Sequence, residues 1–332
     1  MDQVRAMLVV RSAVRTYLEK ISAGETVIIA CSGGADSLAL AYAVAKEASI
    51  LALKVIGVSV DHQLQKGSGA QAQKTVTQLK SMGISSAQIL QVEVVAEDGM
   101  EASARRARYA ALTRISLAHD GAAIFLGHTR DDQAENVLLG LARGSGTRSL
   151  SGMAGQVGIF LRPLLALSGA QTLAACVEVG LIPWQDPHNL DPQFRRVRVR
   201  SQILPLLEEA LGPGISAALA RSAGLLRDDA DALDGWAECE YAKLNPGSLD
   251  IAILEPLPRA IRSRIIRIAI YAAGSPPGSI SADHIGTVEA LVSAWHGQGV
   301  VDLPGGVKAA RLSGRLSLLP PFEQSLITPT KP

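Results

Sequence analysis

The feature that most restricts this chain is a junction. Residues 26–31 (TVIIAC), an apolar and β-rich run, pass without a linker into Ser32-Gly33-Gly34-Ala35-Asp36-Ser37, and residues 38–48 follow with helical length and apolar spacing. A strand, a glycine turn and a helix in immediate succession open a βαβ unit. Further β-rich runs occur at 53–60 (LKVIGVSV), 88–94 (QILQVEV) and 122–127 (AAIFLG), with helical patterns at 69–82 and 101–119 between them. Strands alternating with helices predict an α/β fold on a doubly wound, mainly parallel sheet. Residues 160–165 read as one more strand, and Ser168 as the cap of a helix reaching 179.

Near 181–192 (LIPWQDPHNLDP) the composition turns proline- and aspartate-rich, as in an extended connector. Beyond it, 203–209, 215–241, 257–271 and 282–295 are helical in pattern, followed by GVVDLPGG and short strands to 319. At 332 residues the chain exceeds one ordinary core, so two domains are expected: 1–210, then a smaller, mainly helical domain over 211–320, with a loose tail at 321–332. No run of eighteen apolar residues occurs, and arginines interrupt the apolar residues of MDQVRAMLVVRSAV, which predicts a cytoplasmic protein without a signal peptide or membrane span. Cys31, Cys176 and Cys239 are far apart and never form CxxC, against a disulfide framework or a zinc site. Cys31 reads as a buried thiol closing the first strand. With a formal net charge of +1, any nucleic-acid contact requires a local basic patch and not a global field.

The glycine loop carries the clearest chemistry. Gly33 and Gly34 let the backbone turn tightly and approach a ligand, and the following amides direct positive partial charge at an anion. Hydroxyls of Ser32 and Ser37 can add bonds to phosphate oxygens. Asp36 would repel polyphosphate unless Mg²⁺ bridges them, so it reads as a metal contact, with a plain helix cap as the alternative. Asp61 and His62 end the second run, at the edge where open α/β sheets bind ligands. Glu101, Arg105 and Arg108 share one helical face, either salt-bridged to solvent or aimed at phosphates. In Gly127-His128-Thr129-Arg130-Asp131-Asp132-Gln133-Ala134-Glu135, the residues His128, Asp132 and Glu135 fall in helical register. Two carboxylates at one rim suit a metal or a substrate ammonium, while Thr129 to Asp132 also reads as a capping box. Arg143-Gly144-Ser145-Gly146-Thr147-Arg148 and the FRRVRVR stretch, with Arg195, Arg196, Arg198 and Arg200, offer basic surface for a phosphate backbone or simply solvated charge.

The loop is neither GxxxxGK[ST] nor GxGxxG. It resembles the SGGxDS pyrophosphate loop of the PP-loop ATPases, which split ATP between its α and β phosphates and pass AMP to a substrate oxygen. The full set of SGGADS, VDH, EASARRARY, GHTRDDQAE, RGSG with Leu150-Ser151-Gly152-Met153, Arg162-Pro163-Leu164, and Asp186-Pro187 through Asn189 resembles the tRNA(Ile)-lysidine synthetase family over roughly residues 25 to 210. That resemblance implies an adenine-nucleotide α-hydrolase-like fold in which 1–210 is catalytic and 211–320 binds tRNA. It implies ATP and Mg²⁺ as cofactors, free L-lysine as co-substrate, and a minor isoleucine tRNA with a CAU anticodon as acceptor. ATP would adenylate C2–O of the wobble cytidine, and the lysine ε-amine would displace AMP. ATP would lie on Ser32, Gly33, Gly34, Ala35, Asp36, Ser37, Asp61 and His62, with Asp36 on Mg²⁺. Asp132 and Glu135 would bind lysine, Arg108 and His128 would sit near the activated base or phosphates, and Arg143, Arg148, Arg195, Arg196, Arg198 and Arg200 would meet tRNA.

Two departures weaken individual tRNA or phosphate contacts: Gln65 stands where a basic residue is usual after VDH, and Val197 where the family has Asn after Arg. The carboxy-terminal part matches loosely, through Trp295-His296-Gly297-Gln298 and Leu303-Pro304-Gly305-Gly306, in the manner of the family's shorter version. A tRNA thiolase is the nearest rival, but that chemistry calls for paired cysteines or an iron–sulfur site. A catalytically silent RNA-binding module is the rival from another class, opposed by intact Asp36, Asp132 and Glu135. Monomer and homodimer both remain open.

Overall fold

A strand that alternates its side chains between two apolar layers must be covered on both faces. The first strand, β1 (Thr26–Ala30), does this: Val27 and Ile29 face one core, Ile28 the other, all three fully buried. The computed structural model describes residues 5–64, 67–95, 99–144, 146–186 and 191–321. In it, α1 (Ala6–Leu18) precedes β1, and α2 (Ala35–Ile50), β2 (Lys54–Asp61), α3 (Ser68–Ser81), β3 (Ser86–Gln91), α4 (Met100–Leu117) and β4 (Ala123–Leu126) follow in strict alternation. Next come α5 (Arg130–Leu141), a single turn α6 (Thr147–Leu150), a short hairpin β5 (Gln156–Val157) and β6 (Phe160–Leu161), and α7 (Gly169–Glu178). The six strands lie in the order β3-β2-β1-β4-β6-β5, parallel except for β5. The doubly wound α/β sheet read from the sequence is therefore present.

One core joins α1, α2 and α7 to the sheet through Val10, Val14, Leu18, Leu38, Leu40, Val44 and Cys176. α2 is apolar on most of its surface because it is enclosed by the sheet, α1 and α7. The opposite face is closed by Leu112 and Ile115 of α4 against Ile28, Val58 and Ile124. Ser168 caps α7 as expected, accepting from Gln171 N while Gln171 answers the Ser168 amide. Of the hairpin, β6 falls within the strand expected at 160–165, whereas β5 escaped the sequence reading, since two residues carry no usable period.

After the connector, α8 (Arg195–Arg198) passes through a π-helical turn, Val199–Ile203, into α9 (Leu204–Leu211). Pro205 has no N–H to return to the carbonyl four residues earlier, so the helix before it cannot keep an unbroken α ladder. The chain divides into two compact units, one of residues up to 224 apart from 146–148, the other of that stretch and residues from 225 onward. This division falls within α10 (Ile215–Tyr241), one uninterrupted helix.

The second unit adds β7 (Ser248–Asp250), α11 (Ile251–Leu254), α12 (Arg259–Ala272), α13 (Ala282–Ser293), β8 (Val301–Asp302), β9 (Lys308–Leu312) and β10 (Arg315–Leu319). Its strands form an antiparallel sheet, β7-β10-β9-β8, so a small sheet accompanies the helices that were expected. Ile261, Ile265, Ile266, Ile270, Val288 and Leu291 fill its core with Leu249 and Leu316. Of the tail, residues 322–332 lie outside the described residues, as do Gln65 and 187–190. No single described helix is long and apolar enough to cross a membrane.

Within this second core Arg262 meets Glu289, both over nine-tenths buried, and Arg262 also donates to the carbonyls of Glu255 and Leu257 at 2.9 and 3.0 Å. Removing one member strands a charge away from water. Glu289→Ala is expected to cost about 3–5 kcal/mol in urea unfolding, and Glu289→Gln clearly less. Equal, small losses for both would show that the pair carries no such burden.

Candidate active site

Parallel pairing of β1 with β4 brings Ala30 beside Leu126, so the segments leaving both strands emerge together. β2, paired on the other side of β1, ends at Asp61 on the same edge. Strand order reverses here, between β1 and β4, where open α/β sheets leave a crevice. The glycine loop thus faces Gly127-His128-Thr129, with Asp61 and His62 alongside.

The loop is held from within. Ser37 Oγ donates to Gly34 O at 2.9 Å, accepts from Ser32 N at 3.2 Å, and lies 3.3 Å from Ser32 Oγ. Ser37 is buried and spends its hydroxyl on the loop itself, whereas Ser32 is exposed toward a ligand. Gly33 adopts φ +87°, and a Cβ there would lie 2.6 Å from Thr75 Oγ1, so no other residue fits. Gly127 acts through proximity: a Cβ would press to 3.0 Å against the backbone of Asp36 and Ser37. Bare backbone at that point lets β4 and the first turn of α2 touch.

Asp36 lies in that first turn. Burial raises its carboxyl to about 6, against the Thr172 hydroxyl and Arg200 that favour the ion, and with Asp132 and Asp131 adding to the rise. Excess negative charge here suits a cation. A single carboxylate fits Mg²⁺, which keeps waters and takes its other ligands from phosphates. Among the described residues no group of three or more ligating side chains is assembled that could hold a metal alone.

Across the crevice, α5 starts at Arg130, and its first two turns present Asp132 and Glu135. Asp132 serves two functions with two oxygens. Oδ2 accepts from Thr129 N at 2.8 Å and Thr129 Oγ1 at 3.2 Å, closing the capping box. Oδ1 accepts from Arg196 Nη2 at 2.9 Å and Arg200 Nη2 at 3.2 Å. Glu135 is fully buried and takes Arg196 Nε at 2.6 Å and Arg200 Nε at 2.5 Å. Burial would push the Asp132 carboxyl up, but Arg196, the Thr129 amide, His128 and Arg200 hold it below its ordinary value. The guanidinium groups stand in for an organic cation and show that the pair accepts two-pronged donors. Next to it, Gln133 grips Met153 with both ends of its amide, donating to the carbonyl at 2.8 Å and accepting from the amide at 2.6 Å.

A second, cationic group lies beside the first. Among the described residues Arg108 Nε is buried without a partner, and burial, with Arg105, Arg196 and Arg162 nearby, lowers its guanidinium from the ordinary value. His128 is driven by burial to about 3, despite Asp132, with Arg108, Arg162 and Arg105 adding to the fall. It is a neutral imidazole whose buried Nδ1 has no hydrogen-bond partner among the described residues. His62 is lowered too, by burial and Arg108 against Asp61. Unanswered donors and cations in one place describe an anion site.

Several of the arginines expected at the tRNA also have partners within the chain. Arg196 of α8 and Arg200 of the π turn reach the buried Asp132–Glu135 pair, Arg200 with 48% of its side chain still exposed. Arg148 is bound to Asp231 at 2.5 Å and to Asp234, which uses its fork on protein acids. Arg198 donates to the carbonyls of Pro192 and Gln193 and, like Arg143 and Arg195, is exposed. The sequence reading also passed over Thr172 and Gly169. Thr172 donates to Asp36 Oδ1, and Gly169 N donates to Asp131 Oδ2 at 2.8 Å. A fully buried polar residue on the apolar stripe 172, 175 and 176 was the available signal.

Comparison with known proteins follows this division. A family profile described as PP-loop domain matches residues 8–207, and one described as TilS substrate binding domain matches 249–317. The chain is 50% identical over 309 residues to the tRNA(Ile)-lysidine synthase of Thermobifida fusca (strain YX), covering 92% of this chain and 95% of that one. It is 51% identical over 295 residues to the enzyme of the same name from Streptomyces coelicolor, covering 87% and 84%. In fold it is similar to a U34-tRNA thiolase from Methanococcus maripaludis, with TM-score 0.56 and 20% identity over 67% of this chain and 79% of that chain.

Asp36 gives a pH signature independent of any ligand. Its folded value of about 6 exceeds the ordinary 3.8, so the folded chain holds this proton more tightly and loses stability as pH rises between them. Asp36→Asn is therefore expected to melt higher than the parent at pH 7.5, by a few degrees, with the gain shrinking at pH 5. A gain that grows on acidification would reverse the assignment.

Proposed function

Because the chain belongs to the tRNA(Ile)-lysidine synthase family, we propose that this site joins free lysine to C2 of a wobble cytidine at the expense of ATP. It is an ATP-dependent ligase that modifies tRNA to form lysidine. The single observation that carries the residue assignment is the buried pair Asp132 and Glu135, an organic-cation receptor set across the crevice from a phosphate-binding loop.

ATP lies on the exposed side of the loop, its phosphates met by Ser32, by backbone amides at the start of α2 and by the dipole of that helix. Asp36 would hold Mg²⁺, which when bound would neutralise phosphate charge. The cytidine O2 attacks that phosphorus and pyrophosphate leaves. Arg108, with its unpaired buried Nε, faces the charge that develops, and His128 supplies a polar contact without adding a charge. Its low value makes it a poor acceptor for the lysine proton near neutral pH. The lysine ε-nitrogen then attacks C2, and AMP departs with the former O2.

Lysine is anchored by Asp132 and Glu135 in place of, or shared with, Arg196 and Arg200. Until it arrives, those arginines answer two buried carboxylates that would otherwise lie without a partner. Exposed Arg143 and Arg195 support backbone phosphates, and the second unit supports the body of the tRNA. The reaction takes place in the cytoplasm, and the assignment applies equally to a monomer or a homodimer.

Incubation with ATP, Mg²⁺, labelled lysine and the CAU-anticodon isoleucine tRNA is expected to place label in the tRNA with AMP release. Asp36→Ala is expected to abolish AMP formation. Glu135→Gln is expected to raise the lysine KM at least about tenfold while tRNA-dependent AMP transfer persists. Sulfur transfer, or RNA binding with no label incorporated, would overturn the reading.

A further inference from the structure

The first turns of α7 carry a hydroxyl that packing alone does not call for. Thr172, Ala175 and Cys176 are the buried stripe of this helix, and all three are fully enclosed. An apolar side chain of the same shape would fill position 172 without needing a partner. Thr172 Oγ1 instead bonds Asp36 Oδ1, with its own helix's Gly169 carbonyl 2.8 Å away. A hydroxyl has one proton, so beside an ionised Asp36 it donates to the carboxylate. Among the described residues Oδ2 of Asp36 has no hydrogen bond or ion pair, and it stays available.

The support behind this hydroxyl is rigid. Cys176 Sγ, one turn further on the same stripe, reaches Ala35 O at 3.3 Å and ties α7 to the residue before Asp36. Gly169 N anchors Asp131 Oδ2, so one helix end holds carboxylates from both α2 and α5. α7 is itself packed on α1 and α2, and Glu178 accepts from Met7 N at 3.1 Å. A side chain fixed by such a frame holds its neighbour's rotamer more firmly than solvent can.

We propose that Thr172 is a positioning residue of the nucleotide site: by holding Asp36 Oδ1, it fixes the carboxylate rotamer that presents Oδ2 to the Mg²⁺ of bound ATP. This rests on Asp36 being the metal contact. A hydrogen bond to the far oxygen of a metal-binding carboxylate fixes its orientation before the cation arrives.

The test is manganese binding to the full chain with a non-hydrolysable ATP analogue, followed by the free-Mn²⁺ paramagnetic resonance signal. Thr172→Val keeps the shape and removes the bond, and is expected to weaken manganese binding about tenfold. The Mg²⁺ concentration for half-maximal AMP formation should rise in parallel, with lysine KM unchanged. Thr172→Ser should restore parental binding. Thr172→Ala should repeat the loss and serves if the valine variant does not fold. Parental manganese binding in either hydroxyl-free variant, alongside weakened binding in Asp36→Asn, overturns the role of Thr172 and leaves the metal reading standing. Parental binding in Asp36→Asn overturns the metal reading and this proposal with it. A lysine KM that rises with the loss of manganese, or a serine variant that fails to recover, assigns Thr172 to packing alone and overturns the proposal.

Discussion

Carboxylates from two helix starts, Asp36 of α2 and Asp131, Asp132 and Glu135 of α5, meet where β1 and β4 release their chains, and each has to be answered by a donor. Water does little of this, since Glu135 is fully enclosed and Asp132 nearly so. Thr172 answers Asp36, the Gly169 amide answers Asp131, the Thr129 amide and two arginines answer Asp132, and the same two arginines answer Glu135. Without these partners the burial of so many acids would cost several kcal/mol each or force them to protonate. Asp36 is the least compensated, and its carboxyl has already risen to about 6.

That imbalance gives the site its polarity. One side gathers negative charge, at Asp36 and at Asp132 and Glu135, and suits cations. The other gathers Arg108, Arg162, His62 and His128, with buried nitrogens left unpaired, and offers a place to phosphate or to an oxygen that becomes negative. Two reactants of opposite charge and one nucleotide can then be held with little reorganisation, which is how group transfer by positioning gains its rate. The arginines of α8 and the π turn belong to both sides. They pair with the buried carboxylates, Arg196 from α8 and Arg200 from the π turn where the helix departs from α geometry.

Much of this was legible in the sequence because it depends on local rules. A strand passing into SGGADS and a helix needs no tertiary information to be read as a phosphate loop, and Gly33 at φ +87° confirms the turn it requires. The alternation of β1 to β4 with α2 to α4 determined the parallel sheet, and parallel order then put His62, His128, Asp132 and Glu135 at one edge. The helices over 215–241 and from 282 onward were visible from their periodicity alone. Ser168 announced its cap through its own side chain.

What only the tertiary structure decided is which charges face each other. Arg196 and Arg200 look in sequence like surface cations, and nothing within seven residues reveals that Asp132 and Glu135, more than sixty positions earlier, lie opposite them. Arg148 finds Asp231 and Asp234 across some eighty residues, and Thr172 finds Asp36 across 136. Periodicity specifies the face of a helix, but a charge is satisfied by whatever another element brings to that face. The sequence alone determined the sheet, the loop and the reaction class. The pairing of cations with acids follows from long-range packing that no local pattern encodes.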